Sequence, residues 1–337
     1  MTVATTSSTV SSPRLRLLSL VLSTLCSSPA ALFAKYAETS FSPLTMTLLR
    51  VWIATLILIP IALRMVPAGL HWRRFLRSLP VSLGYCGNII FFGIGIASTT
   101  AMSSQLLYLL VPVLALIGSR IFFAEAFTSY KLLGTALGIS GALLVVLGSL
   151  KGNVADSLGT PFGNAMIIVA VFSWSGFLLF SRSKSQSFHP LELTCYALLT
   201  ASLIVPFLTL PDVLHHHALQ GPLTWLGIFG ALSMALFVSV ARDITFQWGI
   251  KGSSAFIASA LGFAGPFLTV AYAIPLLGEQ LTTSLIISGM LTMLGILFAV
   301  ILPTWQTHRK ERLAVAALAD GSSAQQAVPV AEEERVV

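Results

Sequence analysis

The chain has 337 residues, of which 55% are hydrophobic and only 9% charged, with a mean hydropathy of +0.88. Soluble globular chains carry roughly a quarter charged residues, so this one has too little charge to coat a water-facing surface and lipid must solvate most of it. The formal net charge of +7 is no nucleic-acid footprint, because the basic residues sit between apolar runs, where they act as topology signals.

Residues 1–13 are rich in Ser and Thr and lack acidic side chains. They are expected to have no fixed structure, being too short and too poor in arginine for a transit peptide. Arg14 and Arg16 precede the first apolar run, 17–34, which Lys35 and Tyr36 end without a convincing small-residue cleavage site. Nine more runs follow at 44–63, 79–97, 101–121, 130–149, 160–180, 191–210, 223–247, 253–276 and 283–302. Each is close to the ~20 residues that span hydrocarbon as a helix. Residues 304–337, with Glu332, Glu333 and Glu334, read as a disordered polar tail. The three cysteines, Cys26, Cys86 and Cys195, fit neither a metal site nor a disulfide framework, and read as small buried side chains.

Two features organise these runs. The first is charge. With the N-terminus in the cytoplasm and ten helices, fourteen of the 19 Lys and Arg residues fall on cytoplasmic connections, and only Lys35 and Lys151 on outer ones. This asymmetry predicts that both termini are cytoplasmic. The second is an internal repeat. Ala101, Pro112, Glu125, Thr128 and Gly141 recur 154 residues later as Ala255, Pro266, Glu279, Thr282 and Gly295. Each copy has a proline-bearing apolar helix, a turn with one glutamate, and a glycine-dotted helix. Repeats of this kind decide the fold class. The division is 14–150 and 151–303, five helices each. An odd number per copy inserts the second copy upside down, so the expected fold is an all-α membrane protein of two inverted five-helix repeats, the architecture of many secondary transporters.

The motifs resemble those of the drug/metabolite transporter superfamily, specifically its ten-helix group built from two EamA-type domains. The residues that carry the likeness are Ser42-Pro43-Leu44 with Arg50, then Pro112, Ala124-Glu125, Gly134, Gly138 and Gly141. In the second half they are Pro266, Leu277-Gly278-Glu279 and Gly295, together with Trp174 followed by Arg182. The first half lacks that tryptophan, and Ala197 stands where the first half has Arg50. The resemblance covers residues 16–302 and implies a bacterial inner-membrane transporter of small molecules, with the substrate left open.

Charges inside the membrane cost several kcal/mol unless paired or wetted. Arg50 matches a common family position and is given a structural role ahead of substrate contact. Arg242 and Asp243 are neighbours, and successive helical residues point in different directions. They are therefore expected not to pair, one facing the interior while the other snorkels. Arg242 has a polar counterpart, Asn88, at the repeat offset. Glu125 and Glu279 read as acids complementing the dipole of the helix that follows each, ahead of proton sites. The first run has no carboxylate between Arg16 and Lys35; distant four-helix relatives use one there for proton exchange, which argues against that mechanism.

Polar faces suggest a midplane cavity. Gln105, Tyr108 and Pro112 share a helical face, as do Tyr85, Asn88 and Phe92, and Ser259, Gly262, Phe263 and Pro266; Trp174 adds a sixth-helix counterpart. Packing and interhelical hydrogen bonds are the plain alternative. The expected substrate site is Tyr85, Asn88, Gln105, Tyr108, Trp174, Arg242, Ser259 and Phe263, with Pro112 and Pro266 as hinges. No catalytic constellation, metal site or cofactor is expected, and His215, His216 and His217 read as solvated loop residues. The expected partners are a small-molecule substrate and the lipid bilayer, with no nucleic acid, in a monomer or homodimer. The expected function is export of small organic metabolites such as amino acids. The alternatives are a membrane-embedded enzyme, which would need clustered His, Asp or Glu within the bilayer, and a scaffold or sensor.

Overall fold

A computed structural model describes residues 13–66, 69–123, 129–150, 158–184, 187–215, 217–250, 264–298 and 302. Among these, all regular structure is helical apart from one isolated antiparallel bridge between Phe41 and Leu219. Eight segments are long and apolar enough to cross a membrane, and two shorter apolar helices, Phe267–Leu277 and Thr283–Ile296, fall within the last two runs.

The first span is two helices, α1 (Pro13–Ser27) and α2 (Ala30–Ala37). Pro29 has no N–H to give to Leu25, and the Ser28 hydroxyl donates to that carbonyl instead, at 3.2 Å. Helix α3 (Pro43–Met65) starts where the Ser42 hydroxyl caps the N–H of Thr45 at 3.2 Å with Pro43 just inside. Helix α4 (Trp72–Ala97) begins seven residues before the expected 79. Its extra turns carry Arg73, Arg74 and Arg77, whose long stems can lie along apolar surface. Arg74 forks onto Glu192, Nε to Oε1 at 2.5 Å and Nη2 to Oε2 at 2.7 Å.

The fourth span is also broken, into α5 (Ala101–Tyr108) and α6 (Val111–Phe123). Pro112 thus sits in the first turn of α6, where its missing N–H costs nothing, and not in the middle of a continuous helix as the sequence suggests. Then come α7 (Ser129–Ser149), α8 (Pro161–Lys184) and α9 (Pro190–Leu214). The eighth span is composite: α10 (Trp225–Ser233), a π-helical stretch Met234–Ala241, and α11 (Arg242–Ile250). Helices α12 (Ala264–Leu277) and α13 (Thr283–Ile296) complete the described structure.

Small residues set the closest approaches. A Cβ on Gly84 of α4 would lie 2.9 Å from the Phe177 nitrogen of α8, and one on Gly295 of α13 2.6 Å from the Gly138 nitrogen of α7. In lipid, where apolar burial does not drive association, such backbone proximity is what holds helices together. All three cysteines are free; Cys86 and Cys195 are buried and Cys26 is half-buried.

Candidate functional site

A cavity of about 280 Å³ lies among α1, α3, α4, α5, α6, α8 and the π-to-α11 junction. Of the expected site residues, Asn88, Gln105, Tyr108, Trp174, Arg242 and the hinge residue Pro112 line it. Tyr85 does not; it is buried behind the wall. Ser259 and Phe263 lie outside the described residues, as does the side chain of Pro266.

The wall is built on one charged network. Arg242 Nη1 meets Asp243 Oδ1 at 2.5 Å, and the Tyr85 hydroxyl donates to Asp243 Oδ2 at 2.5 Å. The expectation that Arg242 and Asp243 would not pair is therefore overturned. Their Cα–Cβ bonds diverge, but the arginine stem is long enough to turn back, and leaving either charge unpaired in low dielectric would cost several kcal/mol. The guanidinium also lies over the Trp174 ring, 4.0 Å from its centroid, and 5.6 Å from that of Phe246. Trp174 in turn stacks on Phe177 at 4.6 Å. Asn88 donates to the Tyr108 hydroxyl at 2.6 Å and to the Ala170 carbonyl at 3.0 Å, which fixes its amide orientation.

Arg50 of α3 is the feature that sequence reasoning undervalued. It is 5% exposed, lines the cavity, and donates from Nε to Ser239 Oγ of the π-helical stretch at 2.6 Å. Ser239 stands 154 residues after Tyr85, the same offset that relates Asn88 and Arg242. The first span was missed as well: Ser23, Thr24, Ser27 and Ser28 line the cavity. The available signal was Ser27-Ser28-Pro29, a polar, proline-broken stretch within an apolar run.

At one end of the bundle Glu279 corrects a second expectation. It does not cap α13, the helix that follows it; Thr282 does that, accepting from Leu285 N at 3.4 Å. Its carboxylate instead receives the backbone N–H groups of Ala101 at 2.5 Å and Met102 at 2.9 Å, at the start of α5. Helix N-termini favour such charge. Burial raises the Glu279 pKa, and the two N–H bonds and Lys35 draw it back. Nearby, Glu38 also has a raised pKa from burial, offset by Lys35 at 3.6 Å. Glu125 lies outside the described residues, as does His216. No group of three His, Cys, Asp or Glu that could hold a metal occurs among the described residues.

An all-helical chain with eight membrane-length apolar segments and a polar, charge-lined cavity between them is a multi-pass membrane protein. Residues 14–147 and, again, 161–301 match the EamA-like transporter family, and the chain belongs to it. It is 23% identical to an uncharacterized transporter of Archaeoglobus fulgidus over 268 residues, 79% of this chain and 91% of that protein. With the uncharacterized transporter YoaV of Bacillus subtilis it shares 22% identity over 221 residues, 66% of this chain and 73% of that one. A solved crystal structure, 19% identical, superposes with a TM-score of 0.58 over 85% of this chain and 96% of that chain, a likeness of fold. On these family grounds the protein is a membrane transporter.

Proposed function

We propose that this chain is a secondary transporter that exports small organic metabolites, with amino acids and related compounds among the classes to be tested. It works by alternating access between two inverted five-helix halves in the bacterial inner membrane, with both termini cytoplasmic. The observation that carries this reading is the cavity itself: α1, α3, α4, α5 and α6 come from the first family match, α8 and α11 from the second, and residues from both line one space. A site at the interface of two repeats is where such transporters bind substrate. Asn88, Gln105, Tyr108, Trp174 and Arg242 contact the substrate and Tyr85 positions Asp243; Ser259 and Phe263, outside the described residues, are the further contacts this reading expects. Pro112 and Pro266 mark where helices four and nine bend.

The test is reconstitution of the full chain into liposomes loaded with a defined mixture of amino acids, organic acids and amines, with efflux followed by mass spectrometry. Selective loss of one component, sharply reduced in Arg242→Lys at equal reconstitution, is the expected result. Lysine keeps the charge but lacks the planar fork that pairs Asp243 and stacks on Trp174. If no component leaves faster than from equally loaded protein-free liposomes, the transport reading fails. If the lysine variant transports normally, Arg242 is only an anchor.

A further inference from the structure

The cavity's charge is unbalanced, and the imbalance sits on Arg50. Two guanidinium groups line the cavity and no carboxylate is among its described lining residues. Arg242 is matched by Asp243 behind the wall. Arg50 is held only through Nε, by a neutral serine, and its two terminal nitrogens have no hydrogen-bond partner among the described residues. Guanidinium groups stay charged in proteins. Arg50, Arg242 and Asp243 together therefore leave one positive charge facing a cavity of about 280 Å³. The neutral groups beside it include the amides of Asn88 and Gln105 and two further kinds. Phe92, Tyr108, Trp174 and Phe246 offer aromatic faces and edges, while Ser23 and Ser27 offer hydroxyls.

An uncompensated buried arginine is costly, and its planar set of donors fits a carboxylate in bidentate fashion. Resting on the transport reading above, we propose that the substrate is a monocarboxylate with an apolar or aromatic body and no amine, seated with its carboxylate on Arg50. An amino acid fits less well. Its ammonium would enter a space whose described lining holds two arginines and no acid. The volume falls just below the roughly 300–1,000 Å³ of small-molecule pockets, which favours a compact molecule.

Four probes sharing one skeleton separate the possibilities: hydrocinnamate, its amide, phenylpropylamine, and L-phenylalanine, which is hydrocinnamate with an added amine. Each is titrated calorimetrically into the purified full chain. Hydrocinnamate is expected to bind at least roughly tenfold more tightly than the amide, which loses a charge-assisted bond, and than L-phenylalanine, whose ammonium would be buried unpaired beside two arginines, and the amine not at all. Arg50→Gln is expected to weaken hydrocinnamate roughly ten- to a hundredfold, and Arg50→Lys less. If the glutamine variant is not monodisperse, the wild-type series alone decides. Equal or tighter binding of amine, amide or amino acid overturns the assignment, as does an absence of hydrocinnamate binding or an unchanged affinity in a folded Arg50→Gln. The two readings fail differently. Hydrocinnamate that binds but never crosses proteoliposomes sinks transport and leaves the anion site standing. An amine that binds and crosses does the reverse.

Discussion

Replacing Glu279 by Ala removes both acceptors that serve the start of α5. In the native protein these are the only hydrogen bonds that Ala101 N and Met102 N make among the described residues. Loss of an N-terminal cap costs about 0.5–2 kcal/mol. Here the acceptor is charged but partly exposed, so about 1–2 kcal/mol is the fitting scale once solvent screening is allowed for. With about 1.4 kcal/mol per tenfold, local opening of that turn should become roughly five- to thirtyfold more frequent. The effect should stop there, because Thr100 still caps Ser103 N at 3.1 Å. Amide hydrogen exchange resolves it: Ala101 and Met102 lose protection by that factor while α4 and α8 keep theirs. Thr282→Ala is the control, since it uncaps Leu285 and leaves Ala101 alone. The contact joins a turn in one family-matched segment to a helix in the other, so it bears on how the halves are held at that end. Unchanged exchange at Ala101, or protection lost throughout the chain, would refute the reasoning.

Gly141→Ala should destabilise by about 1–3 kcal/mol through overpacking, because the new Cβ would lie 2.8 Å from the Ser288 carbonyl and crowd Thr292 Oγ1. Gly176→Ala, with no atom within 4 Å of its Cβ, should be neutral or raise stability by about 0.5–1 kcal/mol; melting curves of the two variants check the pair. Glu38 gives a pH signature. Its folded-state pKa is raised by burial, so its contribution to stability is present below the ordinary carboxylate range and fades as pH rises through the raised value. Glu38→Gln should flatten the dependence of melting temperature on mildly acidic pH without lowering stability at neutrality, since Oε1 is buried without a partner and the Lys35 pair is partly exposed; an unaltered slope contradicts this. Pro112→Ala restores an N–H only in the first turn of α6 and should leave melting within about 1 kcal/mol of wild type. Its transport rate should fall if the α5–α6 break is the bending point, and a wild-type rate removes the hinge.

Hydropathy and the 154-residue offset made the class legible in the sequence, the motif resemblance gave the family, and helical spacing pointed to several of the faces that line the cavity. What escaped has physical reasons. Hydropathy averages over a window, so the break at Ser28-Pro29 vanishes inside an apolar run, although the proline and its two serines were in plain view. The π-helical stretch Met234–Ala241 has no proline or glycine and reads as an ordinary helix; one added residue per turn changes direction without changing composition. A helical wheel gives the direction of Cβ and not the end of a long side chain, which is why Arg242 and Asp243 were placed apart. Local dipole arguments assign an acid to the nearest helix in sequence. Glu279 serves α5, which lies far from it in the chain and near it in space.

These irregularities coincide with the site. Each of the three interruptions within the described spans borders the cavity: Ser27 and Ser28 at the α1–α2 break, Leu109 and Val111 at the α5–α6 break, Val238 and Arg242 at the end of the π-helical stretch. In a bilayer, backbone groups released from a helix need another partner, so breaks survive only against protein or a wetted cavity. The partners here are specific. The Leu25 carbonyl takes the Ser28 hydroxyl, the Ser28 carbonyl takes the Tyr272 hydroxyl, and the Arg242 carbonyl takes the Ser23 hydroxyl at 3.2 Å. Ser239, inside the π-helical stretch, holds Arg50. Ser23, Ser28 and Arg50, which face the cavity, are therefore also among the groups that hold the α1–α2 break and the π-helical stretch in shape. A ligand that draws on Arg50 or on the serines of α1 competes with those bonds and changes the cost of each bend. On the proposed transport function, occupancy of the site and the geometry of the helices around it would be one equilibrium, with no separate relay between them.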